Sequence, residues 1–215
     1  MPGAILARLW QPQRGRRRRN VLWVSIVTKD SSAIHAIFYD EGETTSALAR
    51  SLVACWTQAG LRVAGLVEDD TPRPDRKAYD MVLQELVSGE RILISEYRGK
   101  QARGCHLDTG ALVQAGELVR RSLAEADILI LNKFGKIECE GGGLCSVIAD
   151  ALDHAVPIVI FVPRRNQESW QAFVSPLATQ WDFADLGDGA TASERLGLQL
   201  RPRQPAAAGA TASQR

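Results

Sequence analysis

Residues 33–45 read AIHAIFYDEGETT, an apolar run followed by a polar, glycine-containing turn and two threonines. The apolar half is typical of a buried strand, which we predict over Ala33–Phe38. An amphipathic helix is predicted to follow over Thr44–Ala59, and Gly60 supplies the left-handed residue at its end. This order of strand, turn and helix predicts the start of an α/β domain.

The rest of the chain alternates between short apolar runs and amphipathic stretches. Strands are predicted over Arg62–Val67, Asp127–Leu131 and Pro157–Val162, and helices over Thr109–Ala124, over Leu144–His154 and around Trp170, Phe173 and Leu177. Two extended runs, Met81–Leu86 and Arg91–Ser95, flank Ser88-Gly89 and predict an inserted β-hairpin, with a short helix before Ser88 as the alternative. The alternation predicts an α/β fold with a mainly parallel sheet and helices on both faces.

Composition limits the classes of function. The chain has 215 residues, 45% of them apolar, and a net charge of +1. Bulk charge therefore gives no reason to expect a nucleic-acid or membrane partner. The apolar runs are well short of the roughly 20 residues that cross a bilayer, and no secretory signal is recognised. The four cysteines do not form a disulfide framework, so a cytoplasmic protein with reduced thiols is expected.

Three segments are expected along the chain. Residues 1–30 contain the run RGRRRR and predict a basic, disordered extension, with a nucleic-acid patch as the less favoured interpretation. Residues 31–186 predict the α/β domain. Residues 187–215 are rich in Ala, Gly, Pro, Gln and Arg and predict a disordered tail.

The turn after the first strand has the context of a phosphate-binding loop. Gly42 and Thr44 match the end of the GxxxxGK[ST] pattern, and Thr45 follows. Glu43 stands in place of the lysine, and Ile37 in place of the first glycine. An anion at the lysine position repels a polyphosphate, so tight triphosphate binding is not expected. The alternative is that Gly42 only turns the chain and Thr44 only caps a helix.

The segment NKFGKIECEGGGL, residues 132–144, follows the predicted strand Asp127–Leu131. Asn132 stands where such a strand usually carries an acidic residue that orders Mg²⁺. Glu138 is the remaining candidate general base, and Lys133 or Lys136 could supply the cation that the first loop lacks. Ligands bind at the carboxyl ends of parallel strands, so the two loops are expected to line one cleft. The alternative is a solvated loop with local ion pairs.

Cysteines form a further candidate group. Cys105 precedes His106, and Cys139 and Cys145 flank a glycine run. The chain has no CxxC spacing, so a metal site is not expected, although Cys105 could be a reactive thiol. Asp108 is a candidate helix cap.

Several of these residues carry a resemblance to a known family. The segment GCHLD at 104–108, the NKFGK segment with Glu138, and Trp170 with Phe173 are its most specific parts. On these residues the chain, from roughly Ala33 to Phe183, resembles the bacterial family called domain of unknown function 2478, which is similar to small P-loop nucleoside-triphosphatases of thermophiles. The resemblance implies a P-loop NTPase-like fold, Mg²⁺ in any hydrolysis, and molybdenum handling, because members are often encoded beside molybdate-transport genes.

Two principal hypotheses follow. The first is a nucleotide-binding protein with a degenerate phosphate loop and weak triphosphatase activity. Its nucleotide-binding residues would be Gly42, Thr44, Thr45, Asn132 and Lys133, its catalytic residues Glu138 and Lys136, and its further site candidates Cys105 and Asp108. The second is a non-enzymatic accessory or regulatory protein that binds a small oxyanion or a molybdate-transport component. A metal-thiolate or redox protein that uses the cysteines is the third alternative.

Overall fold

The computed structural model describes residues 33–70, 80–96, 107–174, 178–198 and 200. Within these residues the strands are β1 Ile34–Tyr39, β2 Val63–Glu68, β3 Val82–Glu85, β4 Arg91–Leu93, β5 Ile128–Leu131, β6 Ile158–Pro163 and β7 Ala178–Asp182. The helices are α1 Thr45–Gln58, α2 Thr109–Leu123, α3 Lys136–Cys139, α4 Cys145–Asp153, α5 Gln167–Val174, α6 Phe183–Leu186 and α7 Gly189–Leu196, with a 3-10 turn at Arg164–Asn166.

The strands form one sheet in the order β4-β3-β2-β5-β6-β1-β7. Strands β2, β5, β6, β1 and β7 run parallel, which confirms the predicted mainly parallel sheet. Strand β6 lies between β1 and β5, so the turns that follow these three strands meet at one edge of the sheet. This arrangement brings the two loops singled out in the sequence to the same side of the domain.

Helices cover both faces of the sheet. Alternate side chains of β5 point to opposite faces of the sheet. Leu129 and Leu131 contribute to one buried cluster, and Ile128 and Ile130 contribute to the other. Helices α2, α4 and α5 pack on the first face, and α1 and α7 pack on the second. A strand buried on both faces needs a continuous apolar run, which explains the sequence of β5.

The predicted hairpin is present as the antiparallel pair β3 and β4 at one edge of the sheet. Its turn is held by the buried carboxylate of Glu85, which accepts hydrogen bonds from the backbone N–H groups of Val87 and Ser88. The short helix considered before Ser88 does not form. The two strands extend the parallel sheet beyond β2.

The region after α5 corrects the sequence expectation. A disordered tail from residue 187 was expected, but residues 189–196 form α7, which packs against α1 with Ala192 and Leu196 buried. Trp56 Nε1 donates a 3.0 Å hydrogen bond to Ser193 Oγ across this contact. The domain therefore continues to at least Leu196.

Strand β7 and helix α6 were also missing from the sequence prediction. Strand β7 pairs in parallel with β1, so it forms the second edge of the sheet. The residues expected to be disordered at 1–30, residues 201–215, and Leu177 of the predicted last helix lie outside the described residues. In the described part of the chain, no helix combines the length and hydrophobicity needed to span a bilayer.

Candidate functional site at the carboxyl edge of the sheet

The turn after β1 differs from a wide phosphate loop. Strand β1 continues to Tyr39, so Ile37 is buried inside the strand at the position of the motif's first glycine. The turn occupies residues 40–43, and Gly42 adopts a positive φ of 94°, which favours glycine. The short turn leaves fewer backbone N–H groups around an anion than a full phosphate loop provides.

The side chain of Glu43 folds back onto this turn. Its Oε2 atom accepts a 2.6 Å hydrogen bond from the backbone N–H of Asp40. The carboxylate therefore occupies a backbone donor of this turn. Thr44 is the N-cap of α1 by backbone position, but its side chain makes no capping hydrogen bond.

The two loops meet through Thr45 and Asn132. Thr45 Oγ1 donates a 3.2 Å hydrogen bond to Asn132 Oδ1, and both side chains are buried. The expected approach of the two loops is therefore observed, with Thr45 rather than Thr44 making the contact. Asn132 is only 3% exposed, and its Nδ2 has no hydrogen-bond partner among the described residues. A buried amide donor of this kind is costly unless something accepts its hydrogen bond.

Phe134 fixes the segment that follows Asn132. Its N–H donates a 2.8 Å bond to the carbonyl of Phe161 in β6, and its carbonyl accepts a 2.8 Å bond from Asn166 Nδ2. Its ring lies 4.9 Å from the ring of Trp170 and 5.5 Å from that of Phe173, measured between centroids. Phe134, Trp170 and Phe173 therefore anchor this loop in the core.

Glu138 holds the other end of the same loop. Its two carboxylate oxygens accept backbone hydrogen bonds from Gly135 at 2.8 Å and from Leu144 at 2.9 Å. Burial raises the pKa of Glu138, while the hydrogen bonds from Leu144 and Gly135 and the charge of Lys133 lower it in part. A Cβ atom at Gly143 would lie 2.0 Å from Glu138 Oε1, so only glycine fits beside this carboxylate. The Glu138 carboxylate therefore orders the loop that contains it.

The two candidate lysines differ from Glu138 in their surroundings. Lys133 and Lys136 are both exposed, on either side of the buried Phe134. Lys133 directly follows Asn132 and lies close enough to Glu138 to lower its pKa. Lys133 is therefore the lysine adjacent in sequence to the buried amide of Asn132.

Sequence analysis missed two sets of polar contacts at this edge of the sheet. Ser46 Oγ donates a 2.6 Å hydrogen bond to Asp70 Oδ2, which links the first turn of α1 to the end of β2. Arg164 and Arg165 directly follow β6 and contact the turn after β1. Asp70, Arg164 and Arg165 lie within three residues of the ends of predicted strands, so the rule that placed Asn132 in the site could also have found them.

The ion pairs of the arginines involve three carboxylates. Arg164 Nε lies 3.2 Å from Asp40 Oδ2, and the same guanidinium also pairs with Asp182 at the end of β7. Arg165 pairs with Glu41. Hydrogen bonding to Asp182, followed by that to Asp40, raises the pKa of Arg164, and the bond from Arg164 lowers the pKa of Asp182. The turn is therefore fixed by charge pairs on its exposed side.

The remaining candidate residues from the sequence are Asp108 and the cysteines. Asp108 is the N-cap of α2, where its carboxylate accepts a 2.9 Å hydrogen bond from the Ala111 N–H. Cys105 lies outside the described residues. Burial raises the pKa of Cys145 to about 12, and burial also raises that of Cys139. Among the described residues, no three His, Cys, Asp or Glu side chains lie together as a metal site.

Comparison with known proteins gives three similarities. A family model described as "Protein of unknown function (DUF2478)" matches residues 34–185. The chain is 28% identical over 151 residues to the molybdenum import ATP-binding protein ModC 2 of Bradyrhizobium diazoefficiens, and the match covers 70% of this chain but only 17% of that protein. The crystal structure of THEP1 from the hyperthermophile Aquifex aeolicus aligns with a TM-score of 0.51 and 14% identity, covering 69% of this chain and 88% of that one. The last similarity is one of fold alone.

Proposed function

The chain belongs to the DUF2478 family of proteins of unknown function, and we propose that it is an accessory protein of molybdate handling that binds a small oxyanion without hydrolysing nucleotides. The site is the first turn of α1 together with Asn132 and Lys133. The proposal keeps the P-loop-like fold and assigns it a ligand smaller than a nucleotide.

The closed turn at residues 40–43 carries this proposal. Triphosphate hydrolysis in this fold relies on a lysine and a loop of N–H groups around the phosphates. Here Glu43 stands at the lysine position, and its carboxylate accepts the hydrogen bond of the Asp40 N–H. Strand β1 also extends through Ile37, where the loop would have to begin. Both features remove donors for a polyphosphate.

Two groups remain that favour a single oxyanion. The N-terminus of a 14-residue helix attracts negative charge through its unpaired N–H groups and its dipole. The Nδ2 atom of Asn132 is a buried donor beside that helix turn, because its partner atom Oδ1 is bonded to Thr45. Exposed Lys133 adds a cation next to Asn132 in the chain. A tetrahedral oxyanion such as molybdate has acceptors for such donors on every side.

The molybdate context rests on a relative. A segment similar to 70% of this chain forms part of a protein described as a molybdenum import ATP-binding protein. A module fused to an importer component in one organism can act as a separate partner of such a component in another. We therefore include a molybdate-transport component among the proposed partners. The free thiols of Cys55, Cys139 and Cys145 support a cytoplasmic location for that role.

The proposal gives Glu138 a positioning role. Its carboxylate oxygens are engaged by the N–H groups of Gly135 and Leu144, which leaves it a poor general base. Lys136 is exposed and supplies no catalytic step in this account. Neither residue needs Mg²⁺ to fulfil its proposed role.

A thermal-shift panel tests this function. Wild-type protein is heated with molybdate, tungstate or sulfate, and separately with ATP or GTP in the presence and absence of Mg²⁺. A ligand that binds only the folded state raises the melting temperature. We expect a rise with molybdate and tungstate and none with nucleotides. Unchanged melting with all three oxyanions would remove the proposal.

Weak nucleotide binding is the second candidate. The contact between Thr45 and Asn132 favours it, because it joins the helix start to the end of β5, as a nucleotide site in this fold requires. In that case Gly42, Thr44, Thr45, Asn132 and Lys133 hold the nucleotide, and Mg²⁺ bridges its phosphates. A melting temperature that rises with Mg-ATP but not with molybdate would favour this candidate over the first.

A further inference from the structure

The turn formed by Asp40, Glu41, Gly42 and Glu43, hereafter the acidic turn, carries three carboxylates directly in front of α1. Like charges repel an incoming oxyanion at this distance, so the acidic turn opposes the function proposed for the helix N-terminus. The contacts of its three carboxylates explain how both features can belong to one site.

The carboxylate of Glu43 occupies a backbone donor of the acidic turn. It accepts a 2.6 Å hydrogen bond from the N–H of Asp40, three residues back in the chain. Glu43 stands two residues before Thr45, the first residue of α1. A tethered carboxylate at this position competes with a free anion for the same positive end of the helix.

The other two carboxylates fix the acidic turn in this position. Asp40 pairs with Arg164 and Glu41 pairs with Arg165, both at the end of the neighbouring strand β6. Arg164 is further held by Asp182 at the end of β7. Exposed ion pairs contribute little to stability, so they position the turn but yield to a competing interaction.

Asn132 supplies an independent indication that a ligand belongs here. The side chain is 97% buried, its Oδ1 is held by Thr45 in the first turn of α1, and its Nδ2 has no partner among the described residues. Glu43 does not satisfy this donor, because Asn132 Nδ2 has no hydrogen-bond partner among the described residues, while Glu43 Oε2 accepts from the Asp40 N–H. The buried Nδ2 donor of Asn132 therefore lacks an acceptor while the acidic turn is closed.

We propose that the acidic turn is a built-in competitor of the oxyanion site, with Glu43 as the tethered anion and the ion pairs of Arg164 and Arg165 holding the turn closed. This inference concerns regulation and rests on the function proposed above. An oxyanion binds when the turn moves away and the Glu43 carboxylate leaves the helix start. Binding involves no covalent step. Anything that weakens the ion pairs, such as higher salt or a partner that contacts the arginines, opens the site.

Two changes to the acidic turn test the inference by calorimetric titration with sodium molybdate. Glu43→Ala removes the competitor, and we expect molybdate affinity to rise about fivefold, since one like charge is lost near the ligand. The double variant Glu41→Gln/Arg165→Gln removes one ion pair without changing net charge. We expect it to raise the affinity and to accelerate amide hydrogen exchange in residues 40–46.

Matched controls use exposed residues at the opposite edge of the sheet. Glu125 follows α2 and Arg121 lies in its last turn. Glu125→Ala repeats the charge change of Glu43→Ala, and Arg121→Gln/Glu125→Gln repeats the chemistry of the double variant. We expect both controls to match wild type in affinity and in exchange at residues 40–46.

The outcomes separate this inference from the proposed function. If wild type binds molybdate and the two turn variants bind it equally or more weakly, the competitor is overturned and the oxyanion function stands. If only the turn variants bind, the competitor stands and the oxyanion function of the native chain fails. If none binds, both are overturned.

Discussion

Thr45 in the first turn of α1 donates a 3.2 Å hydrogen bond to Asn132 at the end of β5, and this contact joins the two loops of the candidate site. The two strands that carry these loops are not neighbours, because β6 lies between them. A side-chain bond across a strand therefore fixes the position of the helix start. It also fixes the Asn132 amide in an orientation that leaves Nδ2 available to a ligand.

Loss of the Thr45 hydroxyl should lower the stability of the protein. In Thr45→Val the shape is kept, but Asn132 Oδ1 loses its donor inside the protein, so we expect a loss of about 1–3 kcal/mol in unfolding free energy. Urea denaturation measures it. Thr57→Val, at an exposed position of the same helix, should change stability by less than about 0.5 kcal/mol. Equal effects of the two substitutions would contradict the assigned contact.

Removal of the Glu138 carboxylate should unfold the loop it holds. Glu138→Ala leaves the N–H groups of Gly135 and Leu144 without acceptors, at a cost of about 1–3 kcal/mol for the buried Leu144 group and less for the half-buried Gly135 group. Amide exchange at residues 135–144 should rise together with the loss of stability. Exposed Glu140→Ala is the matched control in the same segment and should leave both unchanged. Normal stability and exchange in Glu138→Ala would argue instead for a chemical role.

The helix α7 should contribute to the stability of the whole domain. Leu196 is buried against the face of the sheet that α1 covers, so Leu196→Ala should lower the free energy of unfolding by about 2–3 kcal/mol. Exposed Arg195→Ala, one residue earlier, serves as the control and should have little effect. A negligible change at Leu196 would mean that α7 does not pack in solution.

Cys145 should resist alkylation in the folded protein. Its thiol is buried and its pKa is raised to about 12, so almost no thiolate is present at pH 8.5. Mass spectrometry after iodoacetamide treatment should find Cys145 unmodified until the protein is denatured. Rapid modification in the native state would show that the loop opens.

The same raised pKa predicts how stability depends on pH. The ordinary thiol pKa of 9.0 applies in the unfolded chain. As pH rises from about 9 towards 12, the unfolded chain releases this proton first, so the free energy of unfolding falls. Cys145→Ala should lack this component of the decrease, and identical pH profiles for the two proteins would contradict the assignment.

The core of the fold was predictable because its strands are buried on both faces. Residues Ile128–Leu131 form a continuous apolar run, and such a run is visible without knowledge of its partners. The hairpin was equally visible, because Gly89 lies between two extended runs. Strand β7 was missed because its five residues are only half-buried or exposed at the sheet edge. Helix α7 was missed because its small residues gain their stability from contact with α1.

The candidate site was predictable in place but not in detail. The carboxyl-end rule brought the loop of Gly42 and the loop of Asn132 together, as observed. It could not distinguish Thr44 from Thr45, since one residue of helix phase decides which hydroxyl faces β5. Nor could it show that Glu138 would fold back onto the backbone of Leu144, since that depends on the path of the glycine-rich turn.

Equilibrium dialysis of wild-type protein against labelled molybdate and, in parallel, labelled ATP with Mg²⁺ distinguishes oxyanion binding from nucleotide binding. We predict saturable retention of molybdate and no retention of the nucleotide, because the Glu43 carboxylate stands where a polyphosphate needs a cation. Saturable retention of Mg-ATP together with none of molybdate would contradict this prediction.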